Sequence, residues 1–370
     1  MDIGEKNLFG RGQTLNYSIR RSNEGYSHTI GFTDSTVMNT RYNFGLAHNI
    51  FQDELQYEAK FEKPFYSIST KKAHGIKYFF KDHSEPRFDF RNYRLEAFYG
   101  QSVELRGDDI LRAQLILSLG EQVVKRDDRR IVTNRDNKAV AAIDFHLDPF
   151  NYEKTTYLEK YREVEDVRIG PLIELKLGKR FETLGSTSPE AAGEISIEKN
   201  FKLNRRDFFT STFISRWFDR EFNQEYYELD LKYYWRDFKY QSIVFHLSTA
   251  RLESDTNSFQ IGGTTGLRGF KKDQFEGKEK LIINIEDRIF TYKSFYYGIF
   301  EPGFVLFMDL GNTWDKGKGD KFDYLYRSVG AGFRLALLKA PGISLIRVDF
   351  GIPLGSDNSP IITVGVDGFF

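Results

Sequence analysis

Apolar and polar residues alternate with a period of two along almost the whole chain. Leu15, Tyr17 and Ile19 interleave with Asn16, Ser18 and Arg20, and Tyr42, Phe44 and Leu46 with Asn43, Gly45 and Ala47. The clearest stretch sets Leu55, Tyr57, Ala59 and Phe61 against Gln56, Glu58, Lys60 and Glu62. Successive side chains of a strand point to opposite faces, so this pattern predicts half-buried strands. Further strands read at 71–82, 90–103, 111–123, 139–149, 170–181, 191–203, 207–218, 225–236 and 241–252, then at 279–290, 300–312, 328–338, 344–354 and 360–370. A charged loop, Lys125 to Arg130, separates two of them, and the segment from Asn151 to Val167 reads as a short helix or a long hairpin end. The tally is about sixteen to eighteen strands in one all-β domain over residues 1–370, without a linker or a blade-length repeat, which favours one large closed barrel over a propeller.

Parity within the last strands adds a constraint. Asn284 and Glu286 share a face, as do Phe307, Asp309 and Gly311, then Gly330, Gly332 and Arg334, then Arg347 and Asp349, each opposite apolar neighbours. A membrane barrel turns its apolar face to lipid and its polar face to a wet interior, whereas a soluble sandwich buries the apolar face. Parity alone fits both.

Composition narrows the classes. Aromatic residues make up 16% of the chain, with 35 Phe and 21 Tyr beside 31 Gly, which suits strands and tight turns. The formal net charge is zero, so no basic excess exists to displace the counterions of a nucleic acid. There is no cysteine, hence no disulfide framework and no thiol chemistry. No apolar run reaches the 18 residues or so of a helical membrane span, and Met1 to Lys6 lacks the apolar core of a secretory signal.

One stretch departs from the alternation. Ile261-Gly262-Gly263-Thr264-Thr265-Gly266-Leu267-Arg268-Gly269-Phe270 is too rich in glycine for a regular element and carries one arginine. Downstream, Glu286 and Asp309 sit in strand-like apolar runs and call for a cationic partner. The loop ending Gly266-Leu267-Arg268-Gly269-Phe270, the run Phe307-Met308-Asp309-Leu310-Gly311 and an aromatic terminus together resemble the carboxy-terminal barrel of the BamA-type outer-membrane insertases, a superfamily that also holds TamA and the two-partner secretion transporters. The resemblance is dense over 240–370. It implies a single transmembrane antiparallel barrel of about sixteen strands, with an extracellular loop, 261–278, folded into the lumen. Arg268 is then the loop arginine, with Glu286 and Asp309 its partners on the barrel wall. Ile362, Val364, Val366 and Phe370 resemble the terminal signal by which bacterial outer-membrane barrels are recognised for assembly. Asn7 to Gly12 resembles the segment between the family's first and second strands. The resemblance further implies a bacterial outer-membrane location after removal of a signal peptide, and a barrel without POTRA domains, either cut away or lacking in its subgroup.

Enzymatic signatures are poor. Asp309-Leu310-Gly311 lacks the hydroxyl residue of an aspartic protease, Asp349-Phe350-Gly351 lacks the companions of a kinase, and neither a G-x-S-x-G elbow nor an H-E-x-x-H pair occurs. No catalytic residue, metal or cofactor is expected. The leading expectation is an insertase for outer-membrane proteins, working through a weak seam between first and last strands. A polypeptide translocation pore of the two-partner type and a structural or passive pore are the alternatives. Expected partners are outer-membrane lipids, an unfolded outer-membrane protein or secreted polypeptide as client, and a periplasmic partner supplying a POTRA-like function.

Overall fold

The computed structural model describes all residues except 1, 9, 23–24, 52–53, 86–87, 106–108, 128–130, 162–163, 220–223, 237, 239, 254–257, 292, 297, 316–323, 339–344, 356–358, 367 and 369–370. The chain divides into two compact units, Met1–His146 with Leu175–Gly193, and Leu147–Glu174 with Glu194–Phe370.

In the first unit the strands are Asp2–Leu8 (β1), Gln13–Ser22 (β2), Gly25–Asp34 (β3), Asn43–Phe51 (β4), Glu54–Lys63 (β5), Lys72–Glu85 (β6), Phe88–Glu104 (β7), Asp109–Asp127 (β8) and most of Ile131–Pro149 (β9). From β1 to β8 each pairs antiparallel with the next. β1 is missing from the strands read by alternation because DIGEKNL has only two apolar residues; pairing holds it, from Asp2 opposite Ser18 to Leu8 opposite Gln13. Of the Asn7 to Gly12 segment, Asn7 and Leu8 end β1 and Gly10 to Gly12 lie between the first two strands. The charged stretch beginning at Lys125 also differs from the expected loop. β7 and β8 run 17 and 19 residues, against roughly 9–11 needed to cross a bilayer, and stay paired through Asp89–Lys125 and Phe88–Arg126. Residues 128–130 of that stretch lie outside the described residues.

The second unit begins with a hairpin, Tyr152–Thr155 (β10) and Glu165–Arg168 (β11), standing apart from the main sheet. Gly170–Arg180 (β12) and Ala191–Lys202 (β13) follow, each divided between the units. The remaining main strands are Phe208–Asp219 (β14), Gln224–Trp235 (β15) and Gln241–Glu253 (β16), and later Glu279–Phe290 (β19), Phe300–Trp314 (β20), Tyr326–Leu337 (β21), Leu345–Leu354 (β22) and Ile361–Val366 (β23). Between β16 and β19 a second small hairpin forms, Phe259–Ile261 (β17) with Phe275–Gly277 (β18), so that β16 pairs directly with β19. Apart from the two small hairpins, the described strands of the two units number nineteen, where the family likeness gave about sixteen.

Exposure resolves what parity left open. In the second unit the apolar face is the open one: Leu306 and Phe350 are 53% and 46% exposed, while Asp309 and Asp349 opposite them are at 0%. A water-soluble sandwich would show the reverse. The polar face is covered by the chain's own inserts, the glycine-rich loop and the β10–β11 hairpin.

Candidate functional site

The site rests on the register of two strands. In the β19–β20 pair Asn284 lies opposite Asp309 and Glu286 opposite Phe307, so the two acids sit diagonally on the polar face around one aromatic ring. Arg268 descends onto that ring from the loop, its guanidinium carbon 3.7 Å from the Phe307 centroid.

The short β17–β18 stem closes the loop base, and the turn between is held by N–H donors of Thr265 and Leu267 to the Gly262 carbonyl, 3.0 and 2.9 Å. Its limbs pass so close that a Cβ at Gly262 or Gly263 would collide with the carbonyl oxygens of Lys271 and Phe270. Leu267 and Phe270 are buried with Ile261 and Ile282, and the Phe270 ring meets Phe275 and Tyr326 edge-on, centroids 5.3 and 5.8 Å apart. Gly311 on β20 leaves room for Leu267, whose Cδ2 would stand 3.3 Å from an added Cβ. Gly269 has φ +91°, a conformation that side chains other than glycine rarely adopt, and lies against Gly351 of β22.

Arg268 is wholly buried, and each of its three guanidinium nitrogens donates to a carboxylate. Nε and Nη2 donate to the two oxygens of Asp309 at 2.8 and 2.7 Å, the backbone N–H donates to the same carboxylate at 2.9 Å, and Nη1 donates to Glu286 at 2.5 Å. Burial works against the charge on the guanidinium; the hydrogen bond and charge of Asp309, with the charge of Glu286, outweigh it and hold Arg268 above the ordinary arginine range.

The cluster extends beyond the three residues singled out in the sequence. Asn284 donates to the Gly266 carbonyl and to Asp309, both at 2.8 Å, and faces His246 Nδ1 at 2.9 Å, whose Nε2 lies 2.7 Å from Asp230. Arg288 donates from Nε to Glu286 at 2.8 Å. Arg334 and Arg347 share Asp349 at 2.6 and 3.0 Å. Their shared face was legible from parity, but which arginine meets which acid depends on the register between strands.

Ile362, Val364 and Val366 are exposed on one face of β23; Phe370 lies outside the described residues. Chemically the site is a set of charge-assisted locks, with a buried cation bound bidentately to one acid and singly to another. Phe307→Leu removes the ring beneath the guanidinium and keeps both acids, so a stability loss of about 1–2 kcal/mol is expected. Thermal unfolding in detergent checks this, and an unchanged midpoint would deny the ring contact any weight.

Comparison with known proteins places this site inside a recognised region. Residues 219–363 match the model of the Omp85 superfamily domain, a span holding the loop and strands β15 to β22. Among solved structures, the chain is similar to BamA from Haemophilus ducreyi lacking POTRA domains 1-3, with 12% identity and a TM-score of 0.50 over 96% of this chain and 70% of that one. CdiB from Acinetobacter baumannii follows at 10% identity and TM-score 0.38, covering 96% of this chain and 59% of that one. CdiB from Escherichia coli stands at 12% and 0.39, covering 98% and 61%. No curated protein matches the chain. At these identities the likeness is one of fold, and it rests on the first.

Proposed function

We propose that this chain, whose residues 219–363 match the Omp85 superfamily domain, is a single outer-membrane β-barrel of that superfamily, residues 1–370, that inserts or assembles other outer-membrane proteins. The open apolar face is the surface that meets lipid, and the polar face lines the interior, with loop 261–278 locked inside it by Arg268. Its role is conformational and not catalytic.

The observation that carries the assembly reading is the last described strand, β23. Among the described residues β23 is six residues long, has Gly365 within it, and pairs with β22 from Ile361 opposite Gly351 to Val366 opposite Ile346. Its outward residues Ile362 and Val364 are 65% and 67% exposed. Glycine weakens a strand, and a short strand has few ladder bonds to hold it. A client strand can therefore be templated by hydrogen bonding at β23, as in β-augmentation. The partners that follow are outer-membrane lipids, an unfolded barrel client and a periplasmic partner that delivers it.

Liposomes carrying this protein should insert an unfolded outer-membrane barrel client faster than liposomes carrying an ordinary porin at equal density. Equal rates would sink the insertase reading for the chain alone and favour translocation or a passive pore.

A further inference from the structure

The connection between β9 and β12 does more than reverse the chain. The β10–β11 hairpin pairs from Tyr152 opposite Arg168 to Thr155 opposite Glu165, and its tip lies on the polar face of the second unit. This tip has a fixed shape. The Glu165 carboxylate accepts the N–H groups of Leu158, Glu159 and Lys160 at 2.9, 3.1 and 3.2 Å, and Tyr157 is held at φ +58°, a strained choice for a residue with a side chain.

The face is shaped to receive it. Tyr157 and Tyr161 each pack on Phe290 with centroids 5.0 Å apart, and Leu158 is buried among Phe208, Tyr234 and Val244. On β20, Gly303 occupies the position where any Cβ would collide with the Tyr161 ring, 2.8 Å from Cζ. Polar anchors complete the seat. Arg236 donates to the Thr155 hydroxyl at 2.7 Å and the Thr156 carbonyl at 2.6 Å, and the Tyr234 hydroxyl donates to Glu159.

Arg288 is common to both inserts. It donates to the Leu158 carbonyl at 3.0 Å and pairs with Glu159 at 3.2 Å, while its Nε holds Glu286, the acid that also takes Arg268. An alternating chain Arg268–Glu286–Arg288–Glu159 thus runs along β19 from one insert to the other. The loop enters this strand's face from the Glu279 end and the hairpin from the Phe290 end. If Arg268 withdraws, Glu286 leans on Arg288, the cation that Glu159 also uses, and the hairpin's grip weakens.

The geometry points to the β10–β11 hairpin, through its described residues 152–161 and 164–168, as a second latch on the interior, coupled to loop 261–278 through Glu286 and Arg288, so that release of either loosens the other. Such coupling is reciprocal: each insert alters the docking equilibrium of its partner by the same factor.

The absence of cysteine makes the test clean. Leu158→Cys and Ile261→Cys, made singly in the full chain, place buried thiols on the hairpin and at the loop stem. Labelling by a hydrophilic thiol reagent then reports undocking. Adding Arg268→Ala is expected to speed labelling of the Leu158→Cys hairpin about tenfold, and Glu159→Gln to speed labelling of the Ile261→Cys loop by a like factor. Arg268→Lys, which keeps the charge and so guards against gross misfolding, should give a smaller rise, and Lys272→Ala at the exposed loop tip none. Acceleration confined to the insert that carries the substitution would overturn the coupling.

Discussion

Arg268→Ala is expected to lower the temperature at which the folded protein converts to its unfolded form on a semi-native gel, by an amount equivalent to roughly 3–5 kcal/mol. The size follows from what stays behind. Asp309 loses the side-chain bonds at 2.8 and 2.7 Å, and the backbone bond at 2.9 Å goes as the loop loosens, leaving Asn284 as its hydrogen-bonding neighbour at 2.8 Å. Glu286 fares better, retaining Arg288 at 2.8 Å and Arg334 at 3.9 Å. The penalty is therefore concentrated on one buried carboxylate. Arg268→Ala combined with Asp309→Ala should destabilise less than the two single losses added together, because the second change removes the stranded charge. Arg268→Lys should fall between, since an ammonium cannot span two carboxylates as a planar fork does. An unchanged gel transition for Arg268→Ala would show that the buried pairing does not hold the loop.

Much of the sheet was legible because a strand's period of two survives in the residues themselves. Where apolar residues thin out, as in Asp2–Leu8, the strand exists through pairing with its neighbour, and no local pattern announces it. The hairpin at 152–168 was legible only as one of two readings, a short helix or a long hairpin end. Its buried Tyr157, Leu158 and Tyr161 are not periodic, because they pack down onto Phe290 and Val244 from outside the sheet instead of lining a strand face. Glu165 reads as one more acid in a charged stretch, and its task of gathering three backbone N–H groups is visible only in three dimensions.

The site divides in the same way. Arg268, Glu286 and Asp309 were named from a resemblance, and the structure brings all three within hydrogen-bonding distance. Phe307 and Gly311 came with the strand motif, but their tasks differ: one ring supports a cation, and one missing side chain makes room for Leu267. Arg288 was not singled out in the sequence. A signal was available, since it shares the parity of Asn284 and Glu286, yet parity states only which face a residue takes and not which insert will come to meet it.

Gly351→Ala should destabilise the protein by about 1–3 kcal/mol although alanine is the better strand residue. On β22 this glycine needs no special backbone angle, and in an uncovered sheet the substitution would be neutral or favourable. What forbids it is the loop: an added Cβ would stand 2.7 Å from Gly269 Cα and 2.8 Å from the Arg268 carbonyl carbon. Those are backbone atoms, unable to swing aside as a side chain tip can. Relief requires the whole turn to rise from the face, and raising it draws the Arg268 fork off Asp309. The substitution should thus imitate Arg268→Ala without touching a charge, and the two together should exceed Arg268→Ala alone by only a few tenths of a kcal/mol. Thermal midpoints of the two single variants and the double variant decide the matter. Full additivity would mean that Gly351 serves β22 itself, and that the packing of loop against strand is not what seats the arginine.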